Sequence, residues 1–324
     1  MHMKTIVLTG CAGFIGSHLT EKLLAKGYRV VGIDNFDPFY DVRIKQRNMQ
    51  GFAQNPNFEF LKVDLADVDA LKAVFPAQTD LIVHLAGKAG VRPSIEDPQG
   101  YIRANVVATQ NILDLMKLHG ISRMAFASSS SVYGNTKETP FGEDMDASNP
   151  ISPYAATKKT CELINYTYHH LYKMSIVNMR FFTVFGPRQR PDLAIHKFTK
   201  LIRSGAEIPM FGDGSTARDY TFVDDTVAGI LGIVDYLFQH ENVFEIVNLG
   251  NNSPVKLTDM IASIYAATGE TPRIKQLPMH PGDVDITFAN ITRAQNLFGY
   301  RPQFDFNEGV KRFVAWYEDV NNAQ

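Results

Sequence analysis

Residues 9–18 read Thr-Gly-Cys-Ala-Gly-Phe-Ile-Gly-Ser-His and contain three glycines at the spacing G-x-x-G-x-x-G. The apolar run from Lys4 to Thr9 predicts a strand before them, and the amphipathic stretch from Ile15 to Lys26 predicts a helix after them. A glycine turn between a strand and a helix lets backbone N–H groups approach a pyrophosphate at the positive end of the helix. The stretch therefore predicts a dinucleotide site, to which five of its residues contribute: Gly10, Gly13, Phe14, Ile15 and Gly16.

A carboxylate follows the second predicted strand at the distance expected for a ribose ligand. Asp34 comes directly after the strand Arg29 to Ile33, where it accepts hydrogen bonds from an adenosine ribose and repels a 2′-phosphate. This favours NAD over NADP, although Arg43 or Lys45 is a cation close enough in sequence to offset that repulsion. Asp64, with Leu65 beside it, follows a third strand and either caps a helix or faces the adenine.

The first half of the chain alternates apolar β-rich runs with amphipathic stretches, which is typical of parallel strands joined by helices. We predict an α/β fold: a Rossmann doubly wound parallel sheet with a smaller carboxyl-terminal α/β substrate lobe. Residues 1–183 form the NAD-binding domain, to which a segment near 221–250 returns. Residues 184–220 and 251–324 form the second lobe, and a cleft is expected between the two parts.

Composition excludes several classes of protein. The 324 residues include 32 basic and 34 acidic side chains, so the formal charge of −2 argues against nucleic-acid binding by bulk electrostatics. No apolar run approaches the roughly 20 residues that span a bilayer, so no membrane partner is expected. Two cysteines are too few for a disulfide scaffold, and the nine histidines lack ligand spacing, so no metal is predicted. These features, with an opening Met-His-Met that lacks a signal-peptide core, indicate a cytoplasmic protein.

A second constellation carries the chemistry. Tyr154 and Lys158 stand four residues apart and therefore share one face of a helix, which Ser152 and Pro153 begin. A phenol with a pKa near 10 is a poor base, and a nearby cation stabilises its phenolate. The serine run 128–131 ends a predicted strand at its carboxyl edge, where a hydroxyl can bind the same substrate oxygen.

These residues resemble the extended short-chain dehydrogenase/reductase superfamily, and within it the NAD-dependent nucleotide-sugar 4-epimerases. The resemblance covers nearly the whole chain and includes the glycine turn, His84-Leu85-Ala86, Gly90-Val91-Arg92, Asn105-Val106, the serine run and Arg218-Asp219-Tyr220. It implies that Tyr154 is the base, that Lys158 binds the nicotinamide ribose and lowers the tyrosine pKa, and that Ser129 is their hydroxyl partner, with Ser130 in reserve. Leu85, Ala86 and Asn105 join the cofactor site by the same likeness.

The resemblance also implies a UDP-sugar substrate. Arg218 resembles a pyrophosphate clamp, and Phe211-Gly212-Asp213-Gly214 resembles the segment beside the nucleotide base, with a hairpin turn as its alternative. Ser131 stands before Val-Tyr-Gly where 4,6-dehydratases and uronate decarboxylases carry an acid, so the chemistry is expected to stop at oxidation and reduction of C4. Arg92 and Thr183 are further substrate candidates.

One segment distinguishes among sugars. Residues 186–194, Gly-Pro-Arg-Gln-Arg-Pro-Asp-Leu-Ala, resemble the G-P-x-x-R-P-D-M-A segment of UDP-glucuronate 4-epimerases, in which the arginine faces the substrate carboxylate. Arg190 matches it, and Pro281-Gly282-Asp283-Val284 resembles the same branch. The expected reaction is C4 epimerisation of UDP-glucuronate to UDP-galacturonate through a 4-keto intermediate. The alternatives are that Arg188 and Arg190 bind phosphate or solvent, and that the protein is a UDP-glucose or UDP-N-acetylglucosamine 4-epimerase, a uronate decarboxylase or a non-catalytic NAD sensor. A homodimer through the helices 101–119 and 154–172 is expected by analogy.

Overall fold

The computed structural model describes residues 3–278 and 286–322. The strands are β1 (Thr5–Thr9), β2 (Arg29–Ile33), β3 (Phe58–Leu61), β4 (Leu81–His84), β5 (Arg123–Ser129), β6 (Ser175–Phe181), β7 (Thr183–Phe185), β8 (Ile208–Phe211), β9 (Ala217–Phe222), β10 (Phe244–Leu249), β11 (Pro254–Lys256), β12 (Ile274–Leu277) and β13 (Ile286–Thr287). The helices are α1 (Phe14–Ala25), α2 (Val42–Met49), α3 (Val68–Val74), α4 (Val91–Glu96), α5 (Pro98–Tyr101), α6 (Ala108–His119), α7 (Pro153–Tyr172), α8 (Ala194–Arg203), α9 (Val223–Gln239), α10 (Leu257–Thr268), α11 (Thr292–Phe298) and α12 (Phe306–Asn322).

Seven of the strands form one parallel sheet in the order β10-β6-β5-β4-β1-β2-β3. Successive side chains of β1 face opposite layers: Ile6 and Leu8 pack in the layer that contains α1 and α9, whereas Val7 packs with α6 and α7. Burial on both faces explains why these strands are almost wholly apolar in sequence. The predicted Rossmann sheet is confirmed.

A second group of strands lies beyond the carboxyl end of β6. The strands β7, β11 and β13 each pair with β9, while β8 and β12 form a separate parallel pair. Because β8 pairs with β12 and not with β9, the segment 211–214 is not the turn of a hairpin. The helices α8, α10 and α12 pack against one another over these strands, which gives the smaller α/β unit expected.

One buried carboxylate ties this smaller unit to the returning strand β10. Asp219 on β9 accepts backbone hydrogen bonds from Asn251 at 2.7 Å, Asn252 at 3.0 Å and Ala289 at 2.9 Å. Burial raises the pKa of Asp219 to about 6, and the three N–H donors act in the opposite direction. The loop after β10 is thereby fixed against the second sheet.

The predicted helix 101–119 differs in detail. It begins as α5, passes through a π-helical turn at Ile102–Val107 and continues as α6. The carbonyl of Asn105 in that turn accepts the Thr109 hydroxyl at 2.6 Å and the Cys161 thiol at 3.4 Å. The apolar periodicity of the sequence does not reveal such a turn, because an inserted π turn leaves helical residues on both sides of it.

Candidate active site

A cavity of about 430 Å³ opens at the carboxyl ends of the parallel strands, where the strand order reverses between β1 and β4. Most of the site residues predicted from the sequence line this cavity together. They are Gly10, Gly13, Phe14, Ile15, Gly16, Asp34, Asp64, Leu65, Leu85, Ala86, Ser129, Ser130, Tyr154, Lys158, Thr183 and Arg190.

The glycine turn forms one wall of the cavity because larger residues would not fit there. Gly10 has φ +75°, and a Cβ on it would lie 2.9 Å from the backbone nitrogen of Ala86. A Cβ on Gly16 would lie 2.0 Å from the Gly10 carbonyl oxygen. The helix α1 begins at Phe14 without a side-chain cap and without an acidic residue in its first turn. Its backbone N–H groups are therefore available to an anion, which is what a pyrophosphate requires.

Asp34 lies at the end of β2 and is almost fully buried. Its Oδ1 accepts hydrogen bonds from the Phe36 backbone at 2.8 Å and from the Lys45 ammonium at 3.2 Å. Its Oδ2 accepts none from the residues that the structure describes, which leaves one oxygen for a ribose hydroxyl. Lys45 is thus paired with the acid, whereas Arg43 is exposed and pairs with Asp41.

The contacts of Asp64 exclude one of the two roles predicted for it, that of capping a helix. Its Oδ1 accepts from the Ala66 backbone at 2.9 Å, and Oδ2 pairs with Arg103 at 3.0 Å. The residue that caps α3 is Asp67, whose side chain accepts from the Ala70 backbone. Asp64 caps no helix and lines the cavity beside β3, at the same end as Asp34.

The catalytic candidates lie at the other end of the cavity, beside β5. Tyr154 sits in the first turn of α7, which Ser152 caps through its hydroxyl. Burial raises the pKa of Tyr154, while a hydrogen bond with Ser129 and the charge of Arg190 act to lower it. Lys158 donates to the Ala127 carbonyl at 2.8 Å, and burial lowers the pKa of this ammonium. A phenol, a hydroxyl and a buried cation therefore line the same end of the cavity, a combination suited to proton transfer with an alcohol.

Arg190 reaches the same end of the cavity from the loop after β7. Its guanidinium pairs with Asp192, donates to the Ala89 carbonyl at 3.3 Å and lies over the Phe39 ring, 5.4 Å from its centroid. Burial lowers the pKa of Arg190, but the hydrogen bonds and charge of Asp192 outweigh it, and the net pKa is raised. The arginine is therefore a permanent cation close to the Tyr154 phenol.

Several predicted residues lie elsewhere. Arg92 is exposed on α4, Phe211 is on β8, and Arg218 on β9 donates to the Ala217 carbonyl at 2.9 Å. None of the three is among the described residues that line the cavity, so their roles stay predictions. Asp283 lies outside the described residues.

Asn105 braces the cavity instead of lining it. Its side chain accepts from the Lys88 backbone at 2.8 Å and donates to the Thr157 hydroxyl at 2.9 Å, so it links the loop after β4 to α7. Within residues 3–278 and 286–322, no cluster of histidine, cysteine, aspartate or glutamate is suited to a metal ion.

Sequence reasoning missed a buried hydrogen-bond chain behind the cavity. Thr9 Oγ1 lies 2.7 Å from His84 Nδ1, and His84 Nε2 lies 3.1 Å from Thr109 Oγ1. Thr109 already donates to the Asn105 carbonyl, so it accepts from Nε2–H, and Nδ1 accepts from Thr9. Burial lowers the pKa of His84 to about 3, which keeps the ring neutral. This chain of hydrogen bonds joins β1, β4 and the π turn. In the sequence, the only sign of it was a histidine at the end of an apolar strand.

A buried ion pair lies one helical turn beyond Lys158. Arg180 on β6 donates from Nε and Nη2 to both carboxylate oxygens of Glu162, each at 2.8 Å, and both side chains are 1% exposed. Ser128 donates to the same carboxylate at 2.6 Å. The pair therefore joins α7 to β5 and β6 directly beneath Ser129 and Lys158.

The loop that carries Arg190 rests on α1. Arg188, at φ +63°, pairs with Glu21 at 2.7 Å, and the His18 ring lies 2.9 Å from the Pro187 carbonyl. Burial lowers the pKa of His18, so this ring is held neutral against the loop. Arg188 is not among the described residues that line the cavity.

Comparison with known proteins gives a consistent result. The sequence model of the family described as GDP-mannose 4,6 dehydratase matches residues 7–313. The UDP-glucuronate 4-epimerase of Thermodesulfobacterium geofontis is 39% identical over 98% of this chain and 97% of its own. The crystal structure of UDP-glucuronic acid 4-epimerase from Bacillus cereus in complex with UDP-glucuronic acid and NAD is 32% identical, with a TM-score of 0.90 over 98% of this chain and 99% of that one. A UDP-N-acetylglucosamine 4-epimerase from Methanobrevibacter ruminantium, in complex with UDP-N-acetylmuramic acid, is 29% identical, with a TM-score of 0.89 over 99% and 100% of the two chains.

Proposed function

Because the chain belongs to the GDP-mannose 4,6-dehydratase family of the extended short-chain dehydrogenase/reductase superfamily, we propose that it is an NAD-dependent UDP-sugar 4-epimerase whose substrate is UDP-glucuronate. The observation that carries the choice of sugar is the position of Arg190. Its guanidinium lines the cavity and is close enough to Tyr154 for its charge to lower the pKa of the phenol. A uronate carboxylate bound there would form a charge-assisted pair.

The described residues divide the cavity into a nucleotide end and a sugar end. The uncapped N-terminus of α1 and the free oxygen of Asp34 fit NAD at the first end. When bound, NAD supplies hydride acceptance and return at C4 of the sugar. Tyr154 takes the proton of the C4 hydroxyl and later returns it, while Ser129 holds the same oxygen. Lys158 binds the nicotinamide ribose. Rotation of the 4-keto sugar between the two steps gives UDP-galacturonate.

The same residues argue against elimination and decarboxylation. Ser131, which receives a hydrogen bond from Ser129 at 3.2 Å, occupies the place of the acid that dehydratases use. Among the described residues that line the cavity, the carboxylates are Asp34, Asp37 and Asp64, which follow β2 and β3 and not β5. A 4-keto uronate is a β-keto acid prone to lose carbon dioxide. Arg190 and Thr183 hold its carboxylate so that the breaking bond is poorly aligned with the ketone.

One observation supports a second candidate, a UDP-glucose or UDP-N-acetylglucosamine 4-epimerase. Asp192 already pairs with Arg190, so a neutral sugar would not leave the arginine without an anion. The distinguishing experiment is a product assay with UDP-glucuronate and with UDP-glucose, each with and without added NAD. We expect UDP-galacturonate to be the dominant product, and turnover without added NAD if the cofactor is retained. A protein that converts neither of these sugars nor UDP-N-acetylglucosamine would favour the NAD-sensor alternative.

Replacing Arg190 tests the carboxylate role. We expect Arg190→Ala to lower kcat/KM for both sugars, because the charge of Arg190 lowers the pKa of Tyr154, but to lower it about 10- to 100-fold more for UDP-glucuronate, the effect of losing a charge-assisted hydrogen bond. Arg190→Lys, which keeps the charge but loses the fork, should lie between the wild type and the alanine variant. Equal losses on both sugars would remove the role, and UDP-pentose as a major wild-type product would favour the decarboxylase.

We also propose a homodimer in the cytoplasm. Several apolar side chains are exposed on α6, on α7 and at the end of the π turn that precedes α6. We call them the α6/α7 patch: Val107, Leu118, Leu163, Tyr166, Leu171 and Tyr172. Such a patch favours burial against a second copy of the chain. Both cysteines are free thiols, which suits a reducing compartment. The described part of the chain contains no helix that could cross a membrane.

A further inference from the structure

The guanidinium of Arg190 is held by three different groups. Its Nε donates to Asp192 Oδ1 at 3.0 Å and its Nη2 to Asp192 Oδ2 at 2.7 Å. The carboxylate therefore binds the Nε–Nη2 edge of the guanidinium in a bidentate manner. Its Nη2 also donates to the Ala89 carbonyl at 3.3 Å, and the Phe39 ring covers one face. The plane of the guanidinium is therefore fixed before any sugar enters.

A count of donors identifies the nitrogen that is left for a ligand. An arginine side chain has five N–H donors. Three of them, the single one on Nε and both on Nη2, point at Asp192 and Ala89. No group within residues 3–278 and 286–322 accepts from Nη1, and Nη1 is not a buried atom either. The arginine thus offers a ligand one nitrogen with two hydrogens.

Asp192 itself stands outside the reacting space. Arg190 lines the cavity, whereas Asp192 does not, and its side chain is 39% exposed. The carboxylate belongs to the second residue before α8, so it lies close to the start of that helix. It can therefore remain on the Nε edge while a second carboxylate approaches Nη1 from the cavity, and water screens the repulsion between the two anions.

We propose that Asp192 is a positioning residue that sets the substrate specificity: it locks the Arg190 fork so that Nη1 alone faces the C5 carboxylate of the sugar. This role rests on the proposed function, because it needs a uronate substrate. Asp192 touches neither the sugar nor the reacting atoms and acts only through Arg190. A fixed guanidinium holds the sugar carboxylate in one orientation, whereas a mobile guanidinium would move together with that carboxylate.

A competing anion would behave in the opposite way. If Asp192 merely occupied Arg190 in the absence of substrate, its removal would free the fork and strengthen uronate binding. If it orients the fork, its removal lets the long side chain rotate and weakens uronate binding, with little effect on a neutral sugar. The sign of the change in uronate affinity therefore separates the two roles.

The test measures Kd by calorimetry for UDP-glucuronate and UDP-glucose, with NAD present, in a Tyr154→Phe background that cannot turn either sugar over. We expect Asp192→Ala to raise the Kd for UDP-glucuronate at least tenfold and that for UDP-glucose less than threefold. Asp192→Glu, which keeps the carboxylate, should recover most of the loss, and Asp192→Asn, which keeps one acceptor, should lie between them. When the three Asp192 substitutions are made in the protein that retains Tyr154, the KM values for UDP-glucuronate should follow the same order as the Kd values.

Two results would overturn the role of Asp192. One is a lower Kd for UDP-glucuronate in Asp192→Ala, and the other is an equal change for both sugars that Asp192→Glu does not repair. In either case a wild-type protein that makes UDP-galacturonate leaves the proposed function intact. A wild-type protein that makes no UDP-galacturonate overturns the proposed function first, and the role of Asp192 with it.

Discussion

At the scale of single residues, the chemistry depends on a phenol whose surroundings oppose its ionisation. Burial raises the pKa of Tyr154, and the hydroxyl of Ser129 and the charge of Arg190 offset only part of that rise. The Lys158 ammonium is buried beside the Ala127 carbonyl at the same end of the cavity, and it is not among the groups that shift the pKa of Tyr154. A base that acts near neutral pH requires a lower pKa, and the resemblance to the superfamily assigns that effect to Lys158.

The pH profile of kcat/KM tests this requirement. Because the reaction uses the phenolate, kcat/KM should rise with pH through the pKa of Tyr154. Lys158→Met replaces the ammonium with an uncharged side chain of similar length. We therefore expect the rising limb of the profile to move up by about 1–3 pH units, with activity partly regained in alkaline solution. Tyr154→Phe should stay at background at every pH. A uniform loss in Lys158→Met without a displaced limb would show that Lys158 only positions the ribose.

At the scale of elements, the buried ion pair between Glu162 and Arg180 holds α7 against the sheet. Burial raises the pKa of Glu162, but the hydrogen bonds and charge of Arg180 outweigh it, and the net pKa is lowered. The pair is wholly buried, and although Lys159 also reaches Glu162 at 3.4 Å, Glu162 is the only carboxylate within the described residues that pairs with Arg180. Since Glu162 lies one turn after Lys158, the pair also anchors the helix that carries Tyr154 and Lys158.

Breaking this pair from one side should be costly. Glu162→Gln leaves the Arg180 guanidinium buried beside a neutral amide, and we expect a loss of about 3–5 kcal/mol in the free energy of unfolding, measured by urea denaturation. The double variant Glu162→Leu with Arg180→Met removes both charges and should recover much of that loss. A double variant as unstable as Glu162→Gln would mean that packing, and not the unpaired charge, sets the cost.

The elements that the sequence predicted best are those whose signals are local. The strand, glycine turn and helix of residues 4–26 and the Tyr154–Lys158 spacing depend on neighbours in sequence, and the structure has them in the expected places. The His84 chain and the Asp219 links join residues far apart in sequence, so no local pattern announces them. Asp192 is near Arg190 in sequence, but only the fold turns both side chains to each other.

At the scale of the whole molecule, the parallel doubly wound sheet and the presence of a smaller α/β unit were predictable, and the strand pairings inside that unit were not. Seven parallel strands follow from repeated apolar runs and crossover helices, whereas β7 to β9 and β11 to β13 are short and pair across long separations. The positions of Phe211 and Arg218 relative to the cavity depend on those pairings, whereas Arg92 lies on α4, beside the main sheet. Their predicted substrate contacts therefore rest on resemblance alone.

The α6/α7 patch gives a prediction for the assembly. We expect a mass in solution twice that of the 36.3 kDa chain, measured by light scattering after gel filtration. Leu163→Lys places a charge within the patch and should give a monomer, while Val74→Lys, at a comparably exposed apolar residue on α3, should remain dimeric. A wild-type mass of one chain, or a dimeric Leu163→Lys, would contradict the proposed dimer.

The contact between Arg188 and Glu21 has a consequence for recombination within this family. The arginine belongs to the loop that presents Arg190, and the glutamate to the first helix of the nucleotide-binding half. A chimaera can take its amino-terminal half from one parent and the loop from another. It then has a matched contact only if the residues at positions 21 and 188 come from the same parent. Exchange of sugar preference between homologues by grafting residues 186–194 should therefore include position 21 of the recipient.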